Sequence, residues 1–242
     1  MTRRTVLVTG GSKGIGLAVV KRFLKEGHRV ISHFHTNPID KNSLTGENRD
    51  RLFEVQCDLV CVKQTNIMLV KSIEKFGAID ILINNAATYT IADHYCNLKS
   101  GDFLDVLKVN LIAPFELSKK VIGEMIENGW GRIVNISSIS VEHGGSPLSV
   151  SYTCSKSAIE ALTKSFAKLG AESNVLVNSV RVGLTKTQFH DKNPGKDLKK
   201  RAEQIPVKRM ADPTEIAEVV YFYCSDANTY STGSIIKVAG GE

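Results

Sequence analysis

The sequence predicts an α/β fold: one parallel sheet of seven strands, doubly wound, with helices on both faces. Three observations carry that expectation. Short β-branched runs recur along the chain and alternate with amphipathic stretches of helical length. A glycine-rich turn directly follows the first run. The composition is that of one globular domain, with 242 residues, 42% hydrophobic and 23% charged. A chain of this length buries a substantial core without disulfides or metal.

The elements follow in order. Thr5–Thr9 is the first strand, and the amphipathic helix after it runs to Glu26, where Gly27 ends it. Arg29–Phe34 is the second strand. The polar stretch Thr36–Asp50, with Pro38 and Gly46, reads as a loop. Leu52–Gln56 is the third strand, Lys63–Phe76 a helix stopped by Gly77, and Ile79–Ile83 the fourth strand. Phe103–Glu127 reads as one long helix. It contains Pro114, which should bend it. Arg132–Ile136, Val175–Val182 and Ile235–Val238 are the last three strands. Helices are expected over Ser155–Leu169 and Pro213–Cys224. Asp212 caps the latter, with Pro213 in its first position. Thr187–Arg209 is charged, lacks a firm period and is expected to form a substrate lid. No repeat or linker divides the chain, so 1–242 reads as a single domain. Right-handed crossovers give the doubly wound sheet, whose ligands bind at the carboxyl ends of the strands.

The bulk numbers exclude several classes. The formal charge is +6 at pH 7. A mild positive excess favours anionic ligands such as phosphates. The charge is dispersed and no nucleic-acid motif accompanies it, so nucleic acid is not expected. The five cysteines, Cys57, Cys61, Cys96, Cys154 and Cys224, form no Cys-x-x-Cys pair and have no zinc-ligand spacing. A reducing compartment and no metal are expected. Met1-Thr2-Arg3-Arg4 leads straight into a strand, and no apolar run approaches the ~18 residues of a membrane span. A cytoplasmic protein without a membrane partner is the expectation.

The first strand ends in Thr9-Gly10-Gly11-Ser12-Lys13-Gly14-Ile15-Gly16. Glycines let the backbone turn tightly and approach a pyrophosphate, and the next helix aims its N-terminal amides at that anion. Position between strand and helix marks this as the dinucleotide loop of a Rossmann fold. An acid at the end of the second strand would hydrogen-bond the ribose of NAD. Ser32-His33-Phe34-His35-Thr36-Asn37 contains none, and Lys13 offers positive charge to a 2′-phosphate. Both features favour NADPH. His33 and His35 are further candidates for that phosphate.

Tyr152-Thr153-Cys154-Ser155-Lys156 places a phenol and an ammonium four residues apart, on one helical face. A phenol of pKa about 10 needs a nearby cation to exchange protons near neutrality. The spacing alone is common on solvated helices. Its surroundings give it weight. Asn135-Ile136-Ser137-Ser138 ends the fifth strand, where the Ser138 hydroxyl can hydrogen-bond a carbonyl oxygen. Asn84-Asn85-Ala86-Ala87 ends the fourth strand at the same edge. Asn110 lies in Val109-Asn110-Leu111-Ile112, a context that also suits a core amide.

The chain resembles the short-chain dehydrogenase/reductase family over its whole length, close to the bacterial 3-oxoacyl-[acyl-carrier-protein] reductases. The resemblance rests on Thr9 to Gly16, Asp58, Asn84 to Ala87, Asn110, Ser138, Tyr152 and Lys156. It continues through Val182-Gly183-Leu184-Thr185-Lys186-Thr187, Ile205 to Arg209, Tyr230 to Gly233, and Gly240-Gly241. It implies that Tyr152 is the general acid, that Lys156 binds the nicotinamide ribose and lowers the tyrosine pKa, and that Ser138 orients the carbonyl. Asn110 would hold a water feeding a proton relay. Gly10, Ser12, Lys13, Gly14, Ile15, Gly16, Asp58, Leu59, Asn85, Ala86, Ala87, Gly183, Thr185 and Thr187 would complete the cofactor site, with Asp58 against the adenine. A homotetramer is also implied.

The chain departs from the family pattern at four places. Ala87 replaces a glycine, Val182 a proline and Ala239 an aspartate. Gly129 and Ser173 stand where carrier-protein reductases place arginines, and Lys119, Lys120, Arg132, Lys168 and the run Lys199-Lys200-Arg201 are possible substitutes. The leading expectation is NADPH-dependent reduction of a 3-oxoacyl thioester, carried by acyl carrier protein or coenzyme A. The alternatives are reduction of a small free ketone, sugar or alicyclic substrate, and a non-catalytic module that senses NADPH.

Overall fold

The computed structural model describes residues 2–192 and 197–242. Seven strands form one sheet: β1 Thr5–Val8, β2 Arg29–Phe34, β3 Leu52–Gln56, β4 Ile81–Asn84, β5 Gly131–Ser138, β6 Val175–Val182 and β7 Ile235–Val238. Every pairing is parallel, in the order β3-β2-β1-β4-β5-β6-β7. The order reverses between β1 and β4, so the cleft above their carboxyl ends is the natural ligand site. The α/β doubly wound expectation holds.

Alternation within the strands builds the two layers. Val6, Val8, Ile81, Ile83, Val134 and Ile136 face one cluster with α1 (Gly14–Lys25) and α9 (Pro213–Cys224). Leu7, Leu82, Ile133 and Val177 face the other, with α3 (Val62–Phe76), α5 (Ala113–Glu127) and α7 (Val150–Gly170). Successive side chains on a strand point to opposite faces, so a sheet covered on both sides must be apolar on both. Asp212 caps α9 in a full capping box with Glu215, with Pro213 in the first turn as expected.

Three elements differ from the sequence reading. The expected helix over Phe103–Glu127 is α4 (Ser100–Leu107), a π turn (Lys108–Ile112) and α5. Pro114 has no N–H for the carbonyl four residues back, that of Asn110. The chain widens there, and the Ala113 amide bonds Lys108, five residues back. The loop Thr36–Asp50 contains α2 (Gly46–Asp50), and Ile39 and Leu44 plug it into the core. Helix α7, expected over Ser155–Leu169, begins at Val150. Ser151 and Thr153 of that first turn are buried, and their packing offsets the low helix propensity of Val150 and Thr153.

Within 187–209 the described residues form a 3-10 turn (Gln188–Lys192) and α8 (Leu198–Gln204), and residues 193–196 lie outside the described residues. Leu184, Ala202 and Ile205 anchor α8 in a small cluster of their own. A last helix, α6 (Ser140–His143), follows β5. Among the described residues no helix is long and apolar enough to cross a membrane.

Arg132 is buried at the opposite end of the sheet. Its guanidinium donates to the carbonyls of Gly131, Asn174 and Asn228 at 2.8, 2.8 and 3.0 Å and lies 4.4 Å from the Trp130 ring centre. It is therefore not a surface cation for an acidic partner, which removes it from the substitutes the sequence offers for the missing arginines. Arg132→Leu would remove the donor to the carbonyls of the buried Gly131 and Asn228, at about 1–3 kcal/mol for each buried group left unpaired. A loss of roughly 3 kcal/mol in urea unfolding is expected, and a loss below about 1 kcal/mol would contradict this role.

Candidate active site

The glycine loop is set by polar bonds. The Thr9 hydroxyl accepts the Asn85 and Ala86 amides, each at 3.0 Å. The Asn85 side chain donates to the carbonyls of Thr9 and Gly10 at 2.9 and 3.1 Å. Gly10 and Gly14 hold positive φ, and a Cβ on Gly16 would sit 2.1 Å from the Gly10 carbonyl oxygen. Only glycine fits at Gly16. Lys13 is the N-cap of α1, yet its side chain caps nothing and the first turn carries no acid. The helix thus opens onto the cleft with free amide dipoles and a lysine, which suits a phosphate. Ser12 and Ile15 flank that turn, and Ile15 also packs on the core.

His33 is placed differently from the sequence expectation. It is buried, not turned toward a 2′-phosphate. Its Nδ1 accepts the Gly10 amide at 3.0 Å, so its proton is on Nε2, which donates to the Cys57 carbonyl at 3.0 Å. Burial pushes its pKa down. His35 remains exposed at the rim. Asp58 follows β3 and accepts the Val60 amide at 3.0 Å. The Leu59 side chain is core, so only its main chain is left for a cofactor. Ala87 is half-buried next to Ala86, whose Cα approaches Gly10.

The second half of the site comes from β5, α7 and the segment after β6. Ser138 ends β5, accepts the Ser140 amide at 3.2 Å and hydrogen-bonds the Tyr152 hydroxyl. Burial outweighs that bond and pushes the tyrosine up to about 12. Lys156, one turn on, is 2% exposed and donates to the Ile136 carbonyl at 2.6 Å. Burial pushes it down to about 8. The lysine therefore faces the strand in this structure, 5.7 Å from the Tyr152 ring centre. Asn110 sits on the π turn. Its amide donates to the Thr88 carbonyl and the Ser155 hydroxyl, both at 2.9 Å, and accepts the Thr88 amide at 2.8 Å. Its side chain is thus a brace between the β4 loop and α7.

Gly183 packs on Ala239 so closely that a Cβ would lie 2.7 Å from the Ala239 Cα. Thr185 is buried and donates to the Gly183 carbonyl at 3.0 Å. Thr187 then crosses to Gly14, where its methyl would lie 3.1 Å from an added Cβ. The chain after β6 thus meets the glycine loop at Thr187. A glycine cradle, an uncapped helix N-terminus and a first turn without an acid together fit the pyrophosphate of a dinucleotide.

A family model described as enoyl-(acyl carrier protein) reductase matches residues 10–242. The chain belongs to the short-chain dehydrogenase/reductase family. Within it, the 3-oxoacyl-[acyl-carrier-protein] reductase of Aquifex aeolicus (strain VF5) is 35% identical, over 97% of this chain and 95% of that one. The 3α-hydroxysteroid dehydrogenase of Mediterraneibacter gnavus is 32% identical, over 99% of this chain and 97% of that one. The solved structure of ElxO with NADP bound superposes with a TM-score of 0.87 at 27% identity, covering 99% of this chain and 98% of that one.

Three features of this short-chain dehydrogenase/reductase were not reached from its sequence. Glu160, one turn beyond Lys156, is buried, accepts the Ser137 hydroxyl at 2.6 Å and pairs with Arg181 of β6 at 2.6 Å. The repeat Tyr152, Lys156, Glu160 at four-residue spacing was its signal. Tyr89 and Phe189 pack on Tyr152. Nothing local in sequence joins them. His33 as a clamp is the third.

His33 gives this site a testable acid sensitivity. It is neutral in the fold, while in the unfolded chain it binds a proton below its ordinary value of 6.5. The unfolded state then binds more protons, so stability falls as pH drops below 6.5 toward the depressed folded value. His28 shifts in the same direction. Urea midpoints at pH 7.5 and 5.5 should fall further in the wild type than in His33→Gln, and equal falls would contradict the clamp.

Proposed function

We propose that the protein reduces a 3-oxoacyl thioester to the 3-hydroxyacyl thioester with NADPH. The observation that carries the reading is the meeting of Ser138, Tyr152 and Lys156 at the sheet edge, with the chain after β6 meeting the glycine loop at Thr187. Gly10, Ser12, Gly14, Ile15, Gly16 and Thr187 would hold the pyrophosphate, and Lys13 the 2′-phosphate. Asp58, Leu59, Asn85, Ala86, Ala87, Gly183 and Thr185 would line the rest. When bound, the cofactor supplies the hydride.

The chain's own residues do the rest. Ser138 donates to the substrate carbonyl oxygen and orients it. Tyr152 is protonated at all working pH values because burial holds its pKa near 12, and it gives its proton to that oxygen as charge develops there. Lys156, near 8, returns a proton to the cleft and would swing from the Ile136 carbonyl to the nicotinamide ribose. Asn110 braces the wall behind them. The thioester rests on likeness to the named 3-oxoacyl-[acyl-carrier-protein] reductases. A homotetramer in the cytoplasm, with acyl carrier protein as partner, belongs to the same reading.

A second reading is reduction of a free ring ketone. The hydroxysteroid dehydrogenase relative and the missing cations at Gly129 and Ser173 favour it. Of the substitutes, Arg132 is buried, Lys119 pairs with Glu116, and Arg201 pairs with Glu242. NADPH absorbance with carrier-protein, coenzyme A and free-ketone substrates separates the readings. Turnover of ketones without any thioester turnover removes the first.

Two further outcomes are expected. Tyr152→Phe should lower turnover by about 100-fold or more while NADPH still binds, the scale of a lost general acid. Retained turnover would mean another group is the acid. The reduction rate should also fall as pH rises through about 8, where Lys156 loses its proton. A flat profile from pH 7 to 10 would remove the lysine from the proton path.

A further inference from the structure

The wall beside Tyr152 is aromatic. Tyr89, on the loop after β4, has its ring centre 6.1 Å from that of Tyr152 at 67°. Phe189, from the segment after β6, lies 4.7 Å from Tyr89 and 5.6 Å from Tyr152. All three separations are those of favourable aromatic pairs. The Tyr89 hydroxyl also donates to the Phe189 carbonyl at 2.9 Å, tying that segment to the β4 loop. His190 meets the far edge of Phe189 at 6.1 Å and 85°. The ring of Tyr152 is thus bordered from two separate elements, and one polar bond fixes their spacing.

We propose that Tyr89 and Phe189 are specificity-determining residues that select a carbonyl attached to a planar ring or conjugated group. The proposal deepens the carbonyl-reduction reading and rests on it. A carbonyl oxygen that reaches Ser138 and the Tyr152 hydroxyl brings its own substituent alongside these rings. A flat substituent meets their faces and edges in the offset or tilted geometries that aromatic pairs prefer. A saturated chain of equal size gains only buried area. Neither wall residue carries a charge, so the selection is by shape and ring electrostatics. Phe189 supplies the surface. Tyr89 supplies a second surface and holds Phe189 in place, which makes it a positioning residue as well.

The test compares three N-acetylcysteamine thioesters, of 3-oxobutanoate, 3-oxo-3-cyclohexylpropanoate and 3-oxo-3-phenylpropanoate. Their 3-hydroxy products are also titrated into the full chain loaded with NADP+. The phenyl product should bind about threefold to tenfold tighter than the cyclohexyl one, the scale of one aromatic pair. The kcat/KM values should follow the same order through KM. Phe189→Leu and Tyr89→Leu should bring the phenyl-to-cyclohexyl ratio close to one. Tyr89→Phe should keep the ratio and weaken all three ligands together. Equal binding of phenyl and cyclohexyl products by the wild type overturns the proposal. So does a ratio unchanged in both leucine variants that still bind NADPH. Selective binding of the phenyl product without reduction of any thioester or free ketone would leave the selection standing and remove the reductase reading.

Discussion

The knot of hydrogen bonds between the ends of β1 and β4 is the constraint on which the rest of the site depends. Two loops leave the sheet there in opposite directions, and neither has regular secondary structure to satisfy its amides. The Thr9 hydroxyl, the Asn85 amide and the His33 imidazole do so instead. A buried amide left without a partner costs about 1–3 kcal/mol, so these side chains fix the course of both loops. The glycines supply the positive φ and close approach that this course requires. His33 adds a tie to β3 through Cys57, carrying the order across the cofactor half of the cleft.

A second polar system does the same for the catalytic half. Asn84 of β4 donates to Asn135 of β5 at 2.8 Å and to Ser118 of α5 at 3.3 Å. Asn135 donates in turn to Thr163 of α7 at 2.8 Å. Ser137 and Arg181 reach the same helix through Glu160. Helix α7 is therefore bound to the sheet by specific bonds as well as by packing. Removing one partner of such a set leaves a buried group uncompensated, which makes the arrangement hard to distort. Tyr152 and Lys156 inherit their positions from it. Asn110 closes the gap between the two systems, since it bonds both the β4 loop and α7.

The strands and the glycine loop were legible because their signals are local. β-Branched runs, terminal glycines and a strand–turn–helix context lie within a few residues of one another. The Tyr152–Lys156 pair was legible for the same reason, as was the Asp212 cap. The π turn was half legible: Pro114 announced a disturbance, but the partner carbonyls that decide its form come from packing. The start of α7 at Val150 ran against propensity and was missed. His33 looked like a surface histidine because nothing nearby in sequence reveals that Gly10 and Cys57 converge on it. Tyr89 and Phe189 are 100 residues apart and meet only through the segment after β6. Arg132 looked like any surface cation until three carbonyls claimed it.

The burial that shapes the site also sets the resting protonation states on which the proposed chemistry draws. Desolvation disfavours charge, so it acts oppositely on the two catalytic groups. It holds Tyr152 protonated, near 12, and eases Lys156 toward deprotonation, near 8. A protonated tyrosine is an acid ready to quench a developing alkoxide, the role needed for reduction. Oxidation would need the phenolate as base, a form that burial makes scarce at neutral pH. A lysine near 8 can give up and regain a proton at neutral pH, so it can restore the tyrosine after each turnover. The same dry, aromatic surroundings therefore keep the proton on Tyr152 and make one easier to remove from Lys156.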